Sequence, residues 1–357
     1  MYRHFLMLAF AGILASCGAS GGGSGSGGGD NPLDDGTECT RDNPLEDCEE
    51  PVEEETDPEE EEVEEGVPEE LALNLESYTM TGNTLSVAFN GLDGTPNEAA
   101  YARNTNLDIY NQDNELVYKA FVRQEDSLDR FFLALGAVSA DSSVSAVAVG
   151  DGGQFTQVQQ GTGYLRADGE IFDAPDIGSG PGQGQVSYAG SYGGITNYST
   201  EAGDELLPVS GTGQPDRPGQ PVVVTGTIFL NVNFADATVN GEIYDRTMID
   251  PDRDMDDNRG GTSPAAGDVS VEGVARLLTT IDENGEFFGE VDSDELIISG
   301  EYGGIFGGVD SRFVAGTTAF TWSGSAFSDV QEVGMFVLTQ CGRQGDVDYI
   351  CDNVAPD

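Results

Sequence analysis

The sequence predicts an all-β protein: an eight-stranded antiparallel β-barrel preceded by a smaller β-rich domain, with a disordered acidic N-terminal tether. Three observations predict it. Fifty Gly and 15 Pro among 357 residues make the chain rich in turns. From Leu71 onward, short runs alternate apolar and polar residues. About eight of those runs lie between residues 185 and 340, and neighbouring antiparallel strands hide their edges best by closing on themselves.

The N-terminal elements come first. Arg3 and His4 form a short polar start, Phe5 to Leu14 is apolar, and Leu14-Ala15-Ser16-Cys17 resembles the lipobox of bacterial lipoproteins. The apolar run is too short for a membrane-spanning helix, which needs about 20 residues, so residues 1–17 read as an export signal ending at a lipidated Cys17. Gly18 follows the Cys, which in enterobacterial-type lipoproteins goes with outer-membrane delivery. Residues 18–70 then form a Gly/Ser stretch followed by an acidic tract interrupted by Pro51, Pro58 and Pro68. Such a composition buries no core and extends by self-repulsion, reaching on the order of 170 Å at full stretch. It is expected to act as a stalk.

With Cys17 acylated, four Cys remain: Cys39, Cys48, Cys341 and Cys351. An even remainder suits an oxidising compartment. Four Cys allow three connectivities, of which the two local pairings close the shortest loops.

Residues 71–173 read as the smaller β domain. Leu71, Leu73 and Leu75 sit at period two, Thr84 to Phe89 follows a Gly82-Asn83 turn, and Leu107 to Tyr110 with Leu116 to Val122 reads as a hairpin. Leu128 to Leu135 is open between helix and strand; Val144 to Val149, Phe155 to Val158 and Thr162 to Leu165 continue the β pattern. A Gly/Pro-rich stretch from Ala174 marks the boundary with the barrel region, 185–340, and 341–357 is a C-terminal tail. The clearest barrel strand is Val222 to Phe234, with Val224, Gly226, Ile228, Leu230, Val232 and Phe234 on one face. Glycines at 226, 241, 273, 300 and 316 leave room for large aromatics such as Trp322, which favours a packed interior over an empty cup. Outward-facing Thr, Asn, Ser and Glu argue against a transmembrane barrel.

Composition also removes whole classes of function. With 65 acidic residues against 14 basic ones the formal net charge is −51, which excludes nucleic acid as a partner. His4 is the only His and lies in the expected signal, so the mature chain has no imidazole for a catalytic triad, zinc or haem; Lys119 is the only Lys. No enzyme is expected. Asp250, Asp252, Asp254 and Asp256 alternate as calcium ligands would, but Met255 stands where an EF-hand needs Gly and the closing Glu is missing, so a solvated loop is the better reading. Gly303, Gly304, Ile305, Phe306, Gly307 and Gly308 lack the Lys of a phosphate loop and read as glycines that let strands bend or turn.

Three segments carry a family resemblance: Tyr188-Ala189-Gly190-Ser191-Tyr192-Gly193-Gly194, the run Val232-Asn233-Phe234-Ala235-Asp236-Ala237-Thr238-Val239-Asn240-Gly241, and Glu301-Tyr302 followed by the Gly303–Gly308 motif. Together they resemble the barrel of transferrin-binding-protein-B-like lipoproteins, nearest to solute-binding-protein-like members. The match covers about 185–340; the upstream 71–170 is like that family's handle domain only in being a β-rich segment ahead of the barrel. The resemblance implies an outer-membrane, surface-facing lipoprotein. Its loops would bind a protein or an iron- or haem-type cargo, and a TonB-dependent receptor would be the partner it feeds. One lobe rather than two makes transferrin itself a doubtful ligand, and a shielding role is the alternative. No cofactor is certain; haem, iron or calcium are the ones to test.

Overall fold

The computed structural model describes residues 66–90, 96–123, 132–151, 159–175, 184–197, 221–249, 269–271, 273–292, 298–323 and 330–354. The chain divides into units 1–62 and 63–357, and the described residues all fall in the second.

That unit opens on a helical turn, α1 (Glu69–Ala72), followed by eight strands: β1 (Leu75–Thr81), β2 (Thr84–Asn90), β3 (Pro96–Arg103), β4 (Ile109–Tyr110), β5 (Leu116–Arg123), β6 (Phe132–Val138), β7 (Val144–Asp151) and β8 (Gln160–Arg166). They form one antiparallel sheet in the order β1-β2-β3-β5-β6-β7-β8, with β4 on the edge of β5. The sheet curls until its ends touch, where the Asn74 N–H donates to Gln160 C=O at 3.0 Å. The period-two reading of Leu71 and Leu73 is corrected here. Leu71 is buried on the helical turn, and Leu73, at φ 51°, breaks the chain direction before β1 starts. The open choice over Leu128 to Leu135 resolves as strand from Phe132 on, and Phe155 to Val158 lies outside the described residues.

Nine strands follow: β9 (Gln185–Asn197), β10 (Val222–Asn233), β11 (Thr238–Met248), β12 (Val269–Ser270), β13 (Ala275–Thr280), β14 (Glu286–Asp292), β15 (Ile298–Gly307), β16 (Phe313–Trp322) and β17 (Val330–Gln340). The order β9-β10-β11-β13-β14-β15-β16-β17 returns to β9, so eight strands close into an antiparallel barrel, and β12 merely extends the side of β11. Residues 269–281 form two strands separated at Gly273, whose φ of 92° places it in the connection rather than on an inward face where it would leave room for an aromatic.

Alternation explains the barrel interior. On β10, Ile228, Leu230 and Val232 are buried while their neighbours are half exposed. Rings fill the space between: Phe306 lies 5.6 Å from Tyr188, 5.1 Å from Phe234 and 5.4 Å from Phe287, centroid to centroid. Gly316 makes this filling feasible, because a Cβ there would stand 2.2 Å from Phe336.

The outer wall departs from expectation on one side. Ile195, Ile305, Phe313, Ala315, Val333 and Met335 face outward from β9 and β15–β17, and they are buried because the handle sheet lies on them. Strands β6 and β7 are therefore apolar on both faces. Leu133, Leu135, Ala146 and Ala148 point at the barrel, whereas Ala134, Val147 and Val149 point into the handle's own core. The C-terminal segment adds α2 (Asp348–Val354), held by a Cys341–Cys351 disulfide and packed with Ala189 and Phe229 on the barrel wall.

Candidate functional site

The barrel's two ends differ. Tight connections at 234–237, 281–285 and 308–312 join strands at one end. The long connections, 198–221, 249–274 and the seven-residue 323–329, leave from the other, together with the five-residue 293–297. Most of their residues lie outside the described ones, as do Asp250, Asp252, Asp254 and Asp256. The strand ends that launch them are well defined.

A buried polar bolt crosses the barrel beneath that end. Arg246 on β11 is fully buried, and its Nη1 donates to Glu332 Oε2 on β17 at 3.1 Å, across the lumen from a non-adjacent strand. Trp322 Nε1 on β16 donates to the same oxygen at 2.7 Å. The Tyr192 hydroxyl on β9 donates to Glu332 Oε1 at 2.8 Å and meets Thr318 Oγ1 at 2.9 Å. The guanidinium carbon also lies 5.8 Å from the ring centroids of both Phe320 and Trp322. Burial, and then the Glu332 charge, push the Tyr192 phenol well above its ordinary range. Gly334 is required here, since a Cβ would stand 2.0 Å from the Tyr192 oxygen. Each Glu332 oxygen accepts from a donor and rings wall the guanidinium, whereas Nε and Nη2 of Arg246 are buried without a hydrogen-bond partner among the described residues. It ties together β9, β11, β16 and β17, the strands from which three of the long connections depart.

The Gly303–Gly308 motif serves the junction with the handle. Phe306 points into the barrel core, and Ile305 points out into the handle interface. A Cβ at Gly303 would stand 2.9 Å from Leu71 Cδ1, and one at Gly307 would stand 2.5 Å from Val144 Cγ1. Only Gly308, at φ 74°, serves a turn. The bend-or-turn reading therefore holds for Gly308 and is replaced by close approach at Gly303 and Gly307.

Tyr118 makes the second junction. Strands β17 and β9 pair from Gln331 to Met335 and again at Thr339 and Gln340, with a gap between. Into that gap the handle inserts Tyr118, whose hydroxyl donates to Ser191 C=O and accepts from the Val337 N–H. A side chain of one sheet thus completes the ladder of the other. Gly193 admits the ring, for a Cβ there would stand 2.9 Å from it.

Among the sequence-derived candidates, Cys341 and Cys351 are bonded to each other with Cα atoms 5.4 Å apart. Cys17, Cys39 and Cys48 lie outside the described residues. Among the described residues no group of three or more His, Cys, Asp or Glu is placed to hold a metal ion.

In structure the chain is similar to transferrin-binding protein B. A variant of that protein from Haemophilus parasuis Hp5 matches at 13% identity and a TM-score of 0.30, over 75% of this chain and 53% of that one. The intact Ap-TbpB, with N and C lobes, matches at 10% and 0.33, over 75% and 55%. The isotype 1 protein of serogroup B Neisseria meningitidis matches at 12% and 0.31, over 74% and 51%. The chain spans about half the length of these proteins, and the likeness is one of fold. No protein-family model and no curated protein matches the sequence.

Proposed function

We propose that this chain is a non-catalytic lipoprotein of the outer membrane, anchored through an acylated Cys17 and carried outward on its acidic stalk. Its barrel is a scaffold whose long-connection end binds a protein or an iron- or haem-type cargo for delivery to a partner receptor. One observation carries the reading. The barrel is filled by rings and a buried ion pair, while the long connections leave from one end. A rigid sheet with variable connections at one end recognises partners on its outside rather than in its lumen. Cys39 and Cys48 complete the proposal as a second disulfide in the stalk.

Immobilised mature protein, offered haem, ferric iron and proteins that carry either, tests the cargo. Capture of one of them, abolished when the 198–221 connection is replaced by a short Gly/Ser turn, is the expected result. Capture unchanged by that replacement would overturn the assignment of the binding end, and no capture at all would favour a shielding role. Incorporation of a fatty-acid label, lost in Cys17→Ala, tests the anchor separately.

A further inference from the structure

We infer that the barrel wall formed by β10, β11, β13 and β14 is a second docking surface, and that it fits an apolar side chain presented on a basic segment of a partner protein. The handle covers the wall at β9 and β15–β17, and α2 covers the contact between β9 and β10. The remaining wall carries a groove of about 710 Å³, lined by Phe229, Asn240, Glu242, Arg276, Leu278 and Glu290. Leu278 is 72% exposed and Phe288, on the neighbouring strand, 39% exposed.

The groove has a structural origin. Strands β13 and β14 pair at Arg276↔Asp292 and Leu277↔Val291, and Ile281 bridges Phe287. These contacts share one register, yet residues 278–280 and 288–290 do not pair with each other, and pair only with β11 and β15 on their other sides. The Thr279 hydroxyl donates instead to Phe288 C=O. The wall is dented where the ladder opens, and on the outer face Leu278 and Phe288 become diagonal neighbours.

Charge selects the occupant. The cation on the groove's rim, Arg276, lies 3.8 Å from Glu242, which leaves Glu290 to set the sign of the rim. The whole chain carries −51. A second copy or an anionic lipid surface meets like charge, whereas a basic partner gains attraction along the approach and an apolar contact at its end.

The test uses the full mature chain and a short synthetic peptide alternating Lys with Leu, at physiological ionic strength. Charge alone would also draw such a peptide to the acidic stalk, so the readout is site-specific. Hydrogen exchange should slow at 276–291. Affinity should fall about tenfold in Leu278→Asp and in Phe288→Ser, both exposed positions that keep the fold. A peptide alternating Lys with Ser should bind no better than those variants do. Equal binding by the Lys/Ser peptide, or affinity unchanged in both variants, would overturn the inference. Self-association abolished by Leu278→Asp would also overturn it, by assigning the face to a second copy.

Discussion

At the scale of single residues, the Arg246–Glu332 pair governs the barrel's interior. Removing one member leaves the other charge buried without its counter-charge, so Arg246→Met should cost about 3–5 kcal/mol. Replacing both, as Arg246→Met with Glu332→Leu, should recover part of that loss, because the two apolar groups need no partners although the Trp322 indole N–H loses its acceptor. Urea unfolding of the two single variants and the double variant measures the cycle; additive losses would mean the pair is not coupled. Half of this pair was legible in the sequence. Glu332 stands in phase with Val330, Gly334, Phe336 and Leu338, all buried, so alternation alone points it inward. Arg246 was hidden by backbone geometry. Asp245 takes φ 51° and the β10–β11 register shifts beside it, so the inward phase set by Val239 and Ile243 slips by one residue and turns Arg246 into the core. Tyr118 was hidden for another reason: its partners, Ser191 and Val337, lie on the other sheet, 73 and 219 residues away.

At the scale of elements, packing between the sheets rests on glycines that leave no room for a side chain. Gly307→Val would force a branched side chain into Val144, and overpacking of this kind costs about 1–3 kcal/mol. The thermal midpoint should drop, and hydrogen exchange should quicken in β7 and β15 together. Faster exchange in β15 alone would mean that the handle is not seated there. The barrel strands that the handle does not cover, β10, β11, β13 and β14, were readable because each has one dry face and period two. Strand β3 escaped notice because Pro96–Arg103 is dominated by Ala and polar residues, and its burial comes from β2 and the handle core rather than from its own pattern. The first turn, Glu69–Ala72, misled because three leucines at period two match a strand template while too few residues remain to show a helical one. The outward apolar residues of β9 and β15–β17 were unreadable as an interface until the handle that covers them was in place.

At the scale of the whole molecule, the two cores should melt as one at high pH. Burial raises the phenols of Tyr78, Tyr118, Tyr164, Tyr188, Tyr192 and Tyr302 above their ordinary value of 10.0, and these residues span handle, junction and barrel. Below pH 10 both folded and unfolded chains keep these protons, and stability is unaffected by them. Above it, the unfolded chain releases protons that the folded one retains, so stability falls as pH rises. Tyrosinate absorbance from these residues should therefore appear with a single cooperative loss of β-sheet circular dichroism above pH 10. Their smooth titration near pH 10 in a chain that keeps its fold would contradict the packing described here. The barrel is a filled scaffold and not a cup. The chain has a single tryptophan, Trp322, and it sits inside the barrel against Glu332 and Arg246, so its fluorescence reads the lumen directly. Acrylamide quenching of the native protein should be slight and rise only with global unfolding. Efficient quenching under native conditions, with emission at the wavelength of exposed indole, would show a lumen open to solvent and contradict the claim.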